Sequence, residues 1–594
     1  INYLRGDQTF ELDNAGPFRE RSSRLGDIVN SSPLYESGML YVGGNDGMLH
    51  ALDAETGEEM FAYVPGLVYE NLKEYADPDY GHLFYVDQTP YAAENVEISG
   101  TDKTVLLGGL GKGGKGYYAI DITGFSGATS FAGMTETTLA GRVLWEYPDA
   151  DTPSGEVEDM GYTFSRPYIY GSNDPDLPSI AVFGNGYNSE NSSAVLFILD
   201  PADGTLLKRI DTGVTNCNGL SSPALFDEDF DGKLDYLYAG DLQGNLWKFD
   251  LTSTDHNLWG VAYGVDNDSD GDINFDEGDS PASLFRATGS DGYAQPITVE
   301  PDFMFHCDGD KPGTIVIFGT GKYLGEDDIN DTSVQSIYGV WDYGDDSQDH
   351  EYLGTFDRGM SPELTKQDTS VTLLEQVATD YVKDIQVDSD GDGTPDSTEE
   401  MTIRVLSGES PYWRVTTTPD GGTSCGDFPT SDFPCDLDCP GCAADPVDHA
   451  GWYVDLPQSG ERIIGNPLIR LGVLNYVTFT PEDSPCGGEG NSFPVFADPC
   501  SGGNLGRAFL DINQDGVIDD QDLINIGTDE NPIYVAPSSK KFSGRLQPPA
   551  IVRMPGSHGE GLDKYFFSSS LGTIVTQTTT GAKMGIIYWK DLLR

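Results

Sequence analysis

The fold is decided by the stretch Met39-Leu-Tyr-Val-Gly-Gly-Asn-Asp-Gly-Met-Leu-His-Ala-Leu-Asp53, which continues through Glu55-Thr-Gly57 to Glu59-Met-Phe-Ala-Tyr-Val64. Three short runs of strand-forming residues are separated here by two turns. Asn45-Asp-Gly47 is a strong hairpin signal, because Asn, Asp and Gly adopt the backbone conformations that a tight turn needs. The stretch therefore predicts a small antiparallel meander, and weaker copies of it recur along the chain.

Proline recurs just before a short β run at seven places. Because proline cannot donate to a sheet ladder, it belongs at the first residue of a strand, and its repetition there indicates one equivalent strand in each repeat. Four-stranded units repeated in a ring form a β-propeller. The sequence thus predicts an all-β fold, a seven-bladed β-propeller. The seven prolines are Pro33, Pro90, Pro167, Pro223, Pro296, Pro467 and Pro549.

We predict one β-propeller domain over residues 1–594, with long insertions between strands. A bare blade needs about 40 to 50 residues, and the prolines lie farther apart than that. The interval from Pro296 to Pro467 is more than twice any other, and we interpret the excess as one large excursion rather than an eighth blade. Helical periodicity is scarce, the clearest case being Leu373 to Val382. The predicted insertions are 255–282, with an EF-hand-like loop; 343–450, with the Asp388 loop and a cysteine cluster; and 481–535, with Cys486, Cys500 and the Asp511 loop.

The charge of the chain excludes several classes of partner. There are 98 acidic residues against 33 basic ones, a net charge of -65. Phosphate backbones and anionic lipids require clustered Lys and Arg, so nucleic acid is not expected as a partner. No apolar run approaches the ~20 residues of a membrane-spanning helix, and no transmembrane segment is expected. The chain begins at Ile1 without a signal peptide, so we expect a processed form or a fragment.

The eight cysteines favour disulfides over a zinc site. Cys439-Pro-Gly-Cys442 has the spacing of a zinc knuckle, but only His449 stands nearby as a nitrogen ligand. An acidic surface with hard-cation loops fits an oxidising exterior, where disulfides persist. The pairing stays open. The cysteines are Cys217, Cys307, Cys425, Cys435, Cys439, Cys442, Cys486 and Cys500.

Four Asp-rich stretches predict calcium loops. Calcium takes six to eight hard oxygens, and alternate residues of a tight loop converge on one centre when a glycine makes the sharp turn. The competing interpretation of each stretch is a solvated acidic turn. The candidate ligands of the Asp227 loop are Asp227, Asp229, Asp231, the backbone carbonyl of Lys233, and Asp235. Those of the Asp266 loop are Asp266, Asp268, Asp270, Asp272, Asn274 and Glu277. Those of the Asp388 loop are Asp388, Asp390, Asp392, Thr394, Asp396 and Glu399, and those of the Asp511 loop are Asp511, Asn513, Asp515, Val517, Asp519 and Asp522.

One to four Ca²⁺ ions are therefore expected. Several carboxylates within a few ångströms repel one another, so calcium should stabilise the fold. The loops lie between predicted strands rather than between paired helices. Weak sites filled by millimolar extracellular calcium are therefore more plausible than an intracellular sensor.

Several phrases resemble the C-terminal propeller of the PilY family. They are Tyr3-Leu-Arg-Gly-Asp7, Arg21 to Pro33, Tyr41 to Ala51, Val86-Asp-Gln-Thr-Pro90, Asp235 to Trp247, Gly451-Trp-Tyr-Val-Asp-Leu-Pro457, Gly460-Glu-Arg462 and Tyr588-Trp589. The resemblance implies a non-enzymatic, extracellular protein at the type IV pilus tip or outer cell surface. It further implies contact with minor pilins, support of pilus assembly, calcium-regulated retraction, twitching motility and adhesion to a host or abiotic surface. It places the calcium site on the Asp227 loop, whereas the other three loops rest on spacing alone.

Two alternatives remain open. Ala51-Leu-Asp-Ala-Glu-Thr-Gly57 resembles the repeat phrase of dehydrogenase propellers that use pyrroloquinoline quinone, although the adjacent cysteine pair common in those enzymes is absent. The second alternative is an integrin-like or lectin-like propeller that binds a host protein or a glycan. Arg5-Gly-Asp7 also resembles an integrin-binding tripeptide, and whether it binds a receptor is left open.

Overall fold

In a computed structural model of the chain, the stretch that begins at Met39 forms the predicted meander. Its four antiparallel strands follow one another in chain order and form blade 1. Gly44 pairs with Met48 across the Asn45-Asp-Gly47 turn, and Gly47 has a φ of 92°, which only glycine adopts without strain. The strands of blade 1 are Leu34–Glu36, Met39–Gly44, Met48–Asp53 and Glu59–Tyr63.

The glycines that end the second strand of blade 1 permit a close backbone approach. A Cβ on Gly43 would lie 2.3 Å from the carbonyl oxygen of Val86. We therefore expect Gly43→Ala to lower the free energy of unfolding by about 2 kcal/mol, because backbone has to move to admit the methyl group. Urea unfolding measures the loss. Gly81→Ala is the matched control, since a Cβ there meets no atom within 4 Å. Equal stabilities of the two variants would contradict the contact.

The structure describes residues 1–265, 267, 279–307, 313–342, 357–358, 371–390, 392–411, 413, 448–482, 490–528, 530–554 and 562–580. These residues belong to two compact units. Unit 1 contains Ile1–Leu242 and Trp247–Ala282, and unit 2 contains Gln243–Leu246 and Ser283–Arg594.

Three more blades of the same antiparallel kind follow, and they belong to unit 1 except for Asn245 and Leu246 of blade 4, which are assigned to unit 2. Blade 2 is Tyr91–Ile98, Thr101–Gly109, Tyr117–Asp121 and Val143–Tyr147. Blade 3 is Tyr168–Gly171, Ser179–Gly184, Val195–Leu199 and Leu206–Asp211. Blade 4 is Ala224–Phe226, Tyr236–Gly240, Asn245–Asp250 and Gly260–Val261. A small hairpin of Tyr263–Val265 and Ser280–Ala282 follows blade 4.

Unit 2 contains two larger blades and a final small sheet. Blade 5 is Asp302–Phe305, Thr314–Gly319, Ser336–Asp342 and Asp448–Asp455, extended by Val371–Val387, Ser397–Leu406 and Ser539–Lys540. Blade 6 is Arg462–Ile463, Leu468–Arg470, Val473–Pro481, Gly490–Ala497 and Phe542–Ser543. The final sheet is Ala550–Met554, Leu562–Ser568 and Ile574–Thr580. Two strand pairs complete the unit, namely Ile524–Asn525 with Tyr534–Val535, and Asn245 and Leu246 with Arg286 and Phe285.

The prediction of seven blades is wrong, because the described residues form six. Pro549 does precede a strand, Ala550–Met554, but among the described residues that strand belongs to a sheet of three. A proline marks where a strand begins and carries no information on how many strands follow it.

The long hairpin of Val371–Val387 and Ser397–Leu406 also differs from expectation. The segment Leu373 to Val382, with its helical periodicity, lies within the first of these strands. That strand pairs antiparallel with Ser397–Leu406 and parallel with Asp448–Asp455. Pairing with the next strand of the hairpin and with a strand farther along the chain thus overrides the local period.

Helical structure in the described residues is limited to short connections. The α-helical turns are Leu72–Tyr75, Glu136–Ala140 and Ser154–Asp159. The 3₁₀ turns are Leu12–Asn14, Gly66–Val68, Gly111–Gly113, Ala128–Phe131, His256–Leu258, Glu326–Asn330 and Asp520–Asp522. No helix in the described part of the chain is long and apolar enough to cross a bilayer.

Blade 3 shows how the core forms within unit 1. Its inner strands are buried on both faces because alternate residues face different neighbours. Phe183 and Phe197 join a cluster with Tyr117 of blade 2, while Ile180 and Leu196 join the cluster of blade 4. Blades packed face to face in this way are the repeating element of a β-propeller.

A disulfide within unit 2 joins the segments that follow two blade strands. Cys307 lies just beyond Asp302–Phe305 of blade 5, and Cys500 lies just beyond Gly490–Ala497 of blade 6. Their Cα atoms are 5.9 Å apart. Among the described residues Cys217 is the free cysteine and is exposed. The other five cysteines lie outside the described residues, so their predicted disulfides stay a prediction.

Candidate metal centres

The Asp227 loop is the turn between the first two strands of blade 4, Ala224–Phe226 and Tyr236–Gly240. Two residues in it have positive φ, Phe230 at 60° and Gly232 at 87°. These angles reverse the chain sharply, so that the backbone turns back on its own carboxylates. Gly232, the glycine predicted to make the sharp turn, is therefore found at that turn.

Three of the four predicted carboxylates in this loop converge. Oxygen atoms of Asp227, Asp229 and Asp235 all lie within 4.8 Å of one another. The Asp231 N–H donates to Asp227 Oδ1 at 3.1 Å and to Asp229 Oδ1 at 3.0 Å, which holds these two side chains in place. The Asp231 carboxylate is paired instead with Lys233, whose Nζ lies 2.8 Å from its Oδ2.

Blade 3 supplies two supporting side chains. The Tyr170 hydroxyl donates to Asp227 Oδ2 at 3.2 Å. The Asn173 amide donates to Asp235 Oδ1 and to the Leu234 carbonyl, both at 3.1 Å. These contacts fix Asp227 and Asp235, the first and last predicted ligands of the loop, to the neighbouring blade. Loop spacing could not reveal Tyr170 and Asn173, because they lie 57 and 62 residues from the carboxylates that they contact.

The electrostatics of the Asp227 loop are those of crowded anions. Burial and the charges of Asp229 and Asp227 raise the pKa of Asp235, against hydrogen bonds that favour its ionised form. Burial and the Asp227 charge also raise the pKa of Tyr170 to about 12. In contrast, the hydrogen bond from Lys233 lowers the pKa of Asp231. A divalent cation among the three converged carboxylates would relieve their repulsion.

The Asp388 loop is the turn of the long hairpin and repeats this geometry. Oxygen atoms of Asp388, Asp390 and Asp396 lie within 4.8 Å of one another. The Asp392 N–H donates to Asp388 Oδ1 at 3.3 Å and to Asp390 Oδ1 at 3.2 Å, as its counterpart does in the Asp227 loop. The strand Ser397–Leu406 begins immediately afterwards, so Glu399 lies on a strand. Neither Asp392 nor Glu399 belongs to the converged group.

The Asp511 loop follows blade 6 and is more buried than the other two. Asp511 and Asp522 are 8% and 1% exposed. Asp522 accepts hydrogen bonds from the N–H groups of Ile512 at 2.7 Å and Asp519 at 3.0 Å, and burial raises its pKa to about 6. Asp519 turns outward, where it accepts from the Gln521 N–H at 2.7 Å.

The remaining ligands of the Asp511 loop hold its turn. Asn513 Oδ1 accepts from the Asp515 N–H at 3.1 Å, and Asp515 Oδ1 accepts from the Val517 N–H at 2.8 Å. All six predicted ligands of the Asp266 loop, from Asp266 to Glu277, lie outside the described residues. Those assignments stay predictions. Tyr588-Trp589, one of the phrases that carry the family resemblance, also lies outside the described residues.

One acidic group with a histidine was not anticipated from the sequence. Asp174, Asp255 and His256 each bring a ligand atom within 4.8 Å of the others. His256 Nδ1 lies 2.8 Å from Asp174 Oδ2, which makes an ion pair when the imidazole is protonated. Because 82 residues separate the two partners, no local motif indicates the group. The ion pair accounts for the contact without a metal.

The phrase Ala51 to Gly57, which resembles the repeat of quinone-dependent dehydrogenases, serves the fold of blade 1. Asp53 Oδ1 accepts hydrogen bonds from the N–H groups of Glu55 at 3.0 Å and Thr56 at 2.8 Å. Its second oxygen accepts from the Ala128 N–H at 2.7 Å. The carboxylate thus closes a blade turn and ties a neighbouring loop to it.

The tripeptide Arg5-Gly-Asp7 lies in a surface loop of unit 1. Arg5 Nη2 lies 3.0 Å from Glu136 Oε1, and both side chains are more than half exposed. Asp7 Oδ1 accepts hydrogen bonds from the Thr9 N–H at 2.9 Å and the Thr9 hydroxyl at 2.5 Å. Both charged groups of the tripeptide therefore have partners within the chain.

Comparison with known proteins shows the family to which this chain belongs. Residues 25–382 match the family model described as the PilY1 beta-propeller domain. The chain belongs to the PilY1 family. It is 32% identical over 570 residues to the type IV pilus biogenesis factor PilY1 of Pseudomonas aeruginosa strain UCBPP-PA14, covering 87% of this chain and 42% of the relative. It is 33% identical over 557 residues to a PilY1 homolog of Xylella fastidiosa, covering 85% of this chain and 31% of the relative.

The PilY1 C-terminal domain of Pseudomonas aeruginosa has the same fold. Its crystal structure matches with a TM-score of 0.61 and 28% identity, covering 91% of this chain and 92% of that domain. The predicted β-propeller and the predicted PilY family are thereby confirmed. The chain spans less than half the length of the two curated relatives. Both relatives are named as pilus biogenesis factors and not as dehydrogenases.

Proposed function

We propose that this chain is the propeller part of a PilY1-type protein that acts outside the cell at the type IV pilus tip. It contacts minor pilins, supports pilus assembly, retraction, twitching motility and surface adhesion, and catalyses no reaction. Support comes from the PilY1 family model over residues 25–382 and from relatives named as type IV pilus biogenesis factors. The placement at the tip and the adhesive role come from the family resemblance.

Calcium binding at the Asp227 loop is the second part of the proposal. The observation that carries it is the convergence of Asp227, Asp229 and Asp235 within 4.8 Å on a backbone turned by Gly232. These donors fit Ca²⁺, because all of them are hard oxygens held in a short loop. Asp231 and the Lys233 carbonyl would complete the set. When bound, Ca²⁺ supplies positive charge that offsets the repulsion among these carboxylates.

The position of the loop suggests how calcium would affect the pilus. The loop joins two strands of blade 4 and is held by Tyr170 and Asn173 of blade 3. Without a cation, repulsion among the carboxylates weakens both this turn and its link to blade 3. With calcium the turn is rigid. A change in extracellular calcium would therefore alter the stiffness of this part of the propeller, and the pilus machinery would respond in retraction.

Asp229→Asn tests this part of the proposal. The substitution removes one charge and keeps the oxygen that accepts the Asp231 N–H, so the turn itself should persist. We expect calcium affinity at this site to fall about tenfold or more, because one of three converged anions is lost. Calorimetric titration of the purified protein measures the affinity. In the parent bacterium, we expect twitching of the variant to lose its response to calcium chelation.

The matched control is Glu55→Gln, which neutralises an exposed carboxylate in a turn of blade 1. It should bind calcium and respond to chelation as the unaltered protein does. An Asp229→Asn protein that titrates like the control would contradict calcium binding at this loop. Co-purification of the full-length protein with minor pilins tests the pilus assignment separately. Glycan-array binding without any pilin would instead favour the lectin-like alternative.

A further inference from the structure

The Asp388 and Asp511 loops lie side by side in unit 2, although more than a hundred residues separate them in sequence. The Asp388 N–H donates to the backbone carbonyl of Asn513 at 3.0 Å. Asp388 is the first predicted ligand of its loop, and Asn513 is the second of the other. The backbones that carry these two ligands are thus joined directly.

The residues around this junction bring the two loops together. Ile385, at the end of the hairpin strand before Asp388, packs in the same apolar cluster as Ile512. Lys540 interacts electrostatically with Asp511 of one loop and with Glu399, the last predicted ligand of the other. Lys540 is paired in register with Ile403 of the hairpin. The two loops are therefore parts of one packed region of unit 2.

An unsatisfied buried oxygen points to a cation in this region. Asp511 is 8% exposed, and its Oδ1 has no hydrogen-bond partner within the described part of the chain. Its Oδ2 accepts from the Gly516 N–H of the loop at 3.3 Å, so the carboxylate faces into the turn. A buried carboxylate oxygen without a donor is costly, and a bound cation would satisfy it.

The neighbouring donors are of the type that calcium takes. The Asp388 loop contributes three carboxylates whose oxygens lie within 4.8 Å of one another. The Asp511 loop contributes Asp511 and Asp515 with the amide of Asn513, although no three carboxylates of this loop, which is described in full, converge as those of the Asp388 loop do. Each set consists of hard oxygens on a turn with positive φ at its glycine, 86° at Gly393 and 78° at Gly516. Such sets favour Ca²⁺ over transition metals, which prefer nitrogen and sulfur.

We propose that the Asp388 and Asp511 loops form a coupled pair of calcium sites, in which a cation in one loop strengthens binding in the other. The coupling acts through the Asp388–Asn513 backbone hydrogen bond. A cation that orders one loop holds a ligand-bearing residue of the other in position. The second cation therefore binds at a smaller cost in conformational entropy. The proposal shares its calcium chemistry with the proposed function, but it depends neither on the Asp227 loop nor on the pilus.

The test is a double-mutant cycle on the whole chain, with calcium as the ligand. Asp390→Asn removes a charge from the Asp388 loop, and Asp515→Asn removes one from the Asp511 loop; each retains an acceptor oxygen. Both variants carry Asp229→Asn in addition, so that the Asp227 loop contributes equally to every titration. We expect each single substitution to weaken calcium binding at the other loop by 5-fold or more, within the usual range of coupling between sites.

Tb³⁺ luminescence excited through the tyrosine and tryptophan residues of the protein, followed by displacement with Ca²⁺, gives a second readout of binding. The circular dichroism of each variant without calcium shows whether its fold is retained. Additive effects of the two substitutions would overturn the coupling. Unchanged calcium stoichiometry and affinity in the double variant would overturn both sites. Failure of Asp229→Asn alone to affect calcium binding would count against the proposed function and leave this pair untouched.

Discussion

Replacing Cys307 and Cys500 together by serine is expected to lower the free energy of unfolding by about 5 kcal/mol. The disulfide closes a loop with a sequence separation of 193 residues, and a long loop gives the unfolded chain much entropy once it is opened. Within unit 2 the bond also ties the segment after a blade 5 strand to the segment after a blade 6 strand. Urea unfolding with and without reductant measures the effect. Adding reductant to the unaltered protein should lower its stability by the same amount.

Cys217→Ser is the control for this prediction. Cys217 is exposed and has no disulfide, so its replacement should change stability by less than about 0.5 kcal/mol. If the double serine variant unfolded at the same urea concentration as this control, the bond would contribute nothing to the folded state. That result would contradict the predicted role of the disulfide.

Arg404→Met is expected to cost about 3 to 5 kcal/mol, because it leaves a buried carboxylate without its cation. Arg404 is 1% exposed and lies on the second strand of the long hairpin. Its Nη2 lies 3.0 Å from Glu461 Oε2, and its Nε lies 2.8 Å from Asp380 Oδ1. Glu461 is fully buried. The guanidinium also stacks 3.9 Å from the centre of the Phe493 ring.

Thermal and urea unfolding measure this loss of stability. Two further variants test its cause. Adding Glu461→Gln to Arg404→Met should recover part of the stability, since the unpaired charge is then absent. Arg5→Met removes a surface ion pair with Glu136 and should cost less than about 1 kcal/mol. A loss at Arg404 no larger than the loss at Arg5 would show that the buried network is energetically unimportant.

Local sequence rules predicted the strand starts but not the blade count. Six of the seven prolines are followed directly by a strand, because a residue without an N–H is tolerated at that position. After Pro296 the next strand begins only at Asp302. The number of strands in a sheet depends on pairing between distant segments, which no single motif encodes. The hairpin strand Val371–Val387 escaped prediction for the same reason.

The candidate sites show the same difference between local and tertiary information. Alternating carboxylates and a glycine predicted the turns at Asp227 and Asp388, since all of that information lies within nine residues. The supporting contacts from Tyr170 and Asn173, the pairing of Asp231 with Lys233, and the junction between Asp388 and Asn513 depend on tertiary packing. Spacing thus identified the donors, while their partners emerged only from the fold.

The pairing of Ser336–Asp342 with Asp448–Asp455 has a consequence for how such proteins diversify. Val340 is opposite Gly451, and the connection of about a hundred residues between them adds the long hairpin of Val371–Val387 and Ser397–Leu406 to the same sheet. Each doubling of such a connection costs only about 0.6 kcal/mol in closure entropy. Change in length is therefore open to the connections that flank the hairpin, whereas the hairpin itself is fixed to the blade by strand pairing.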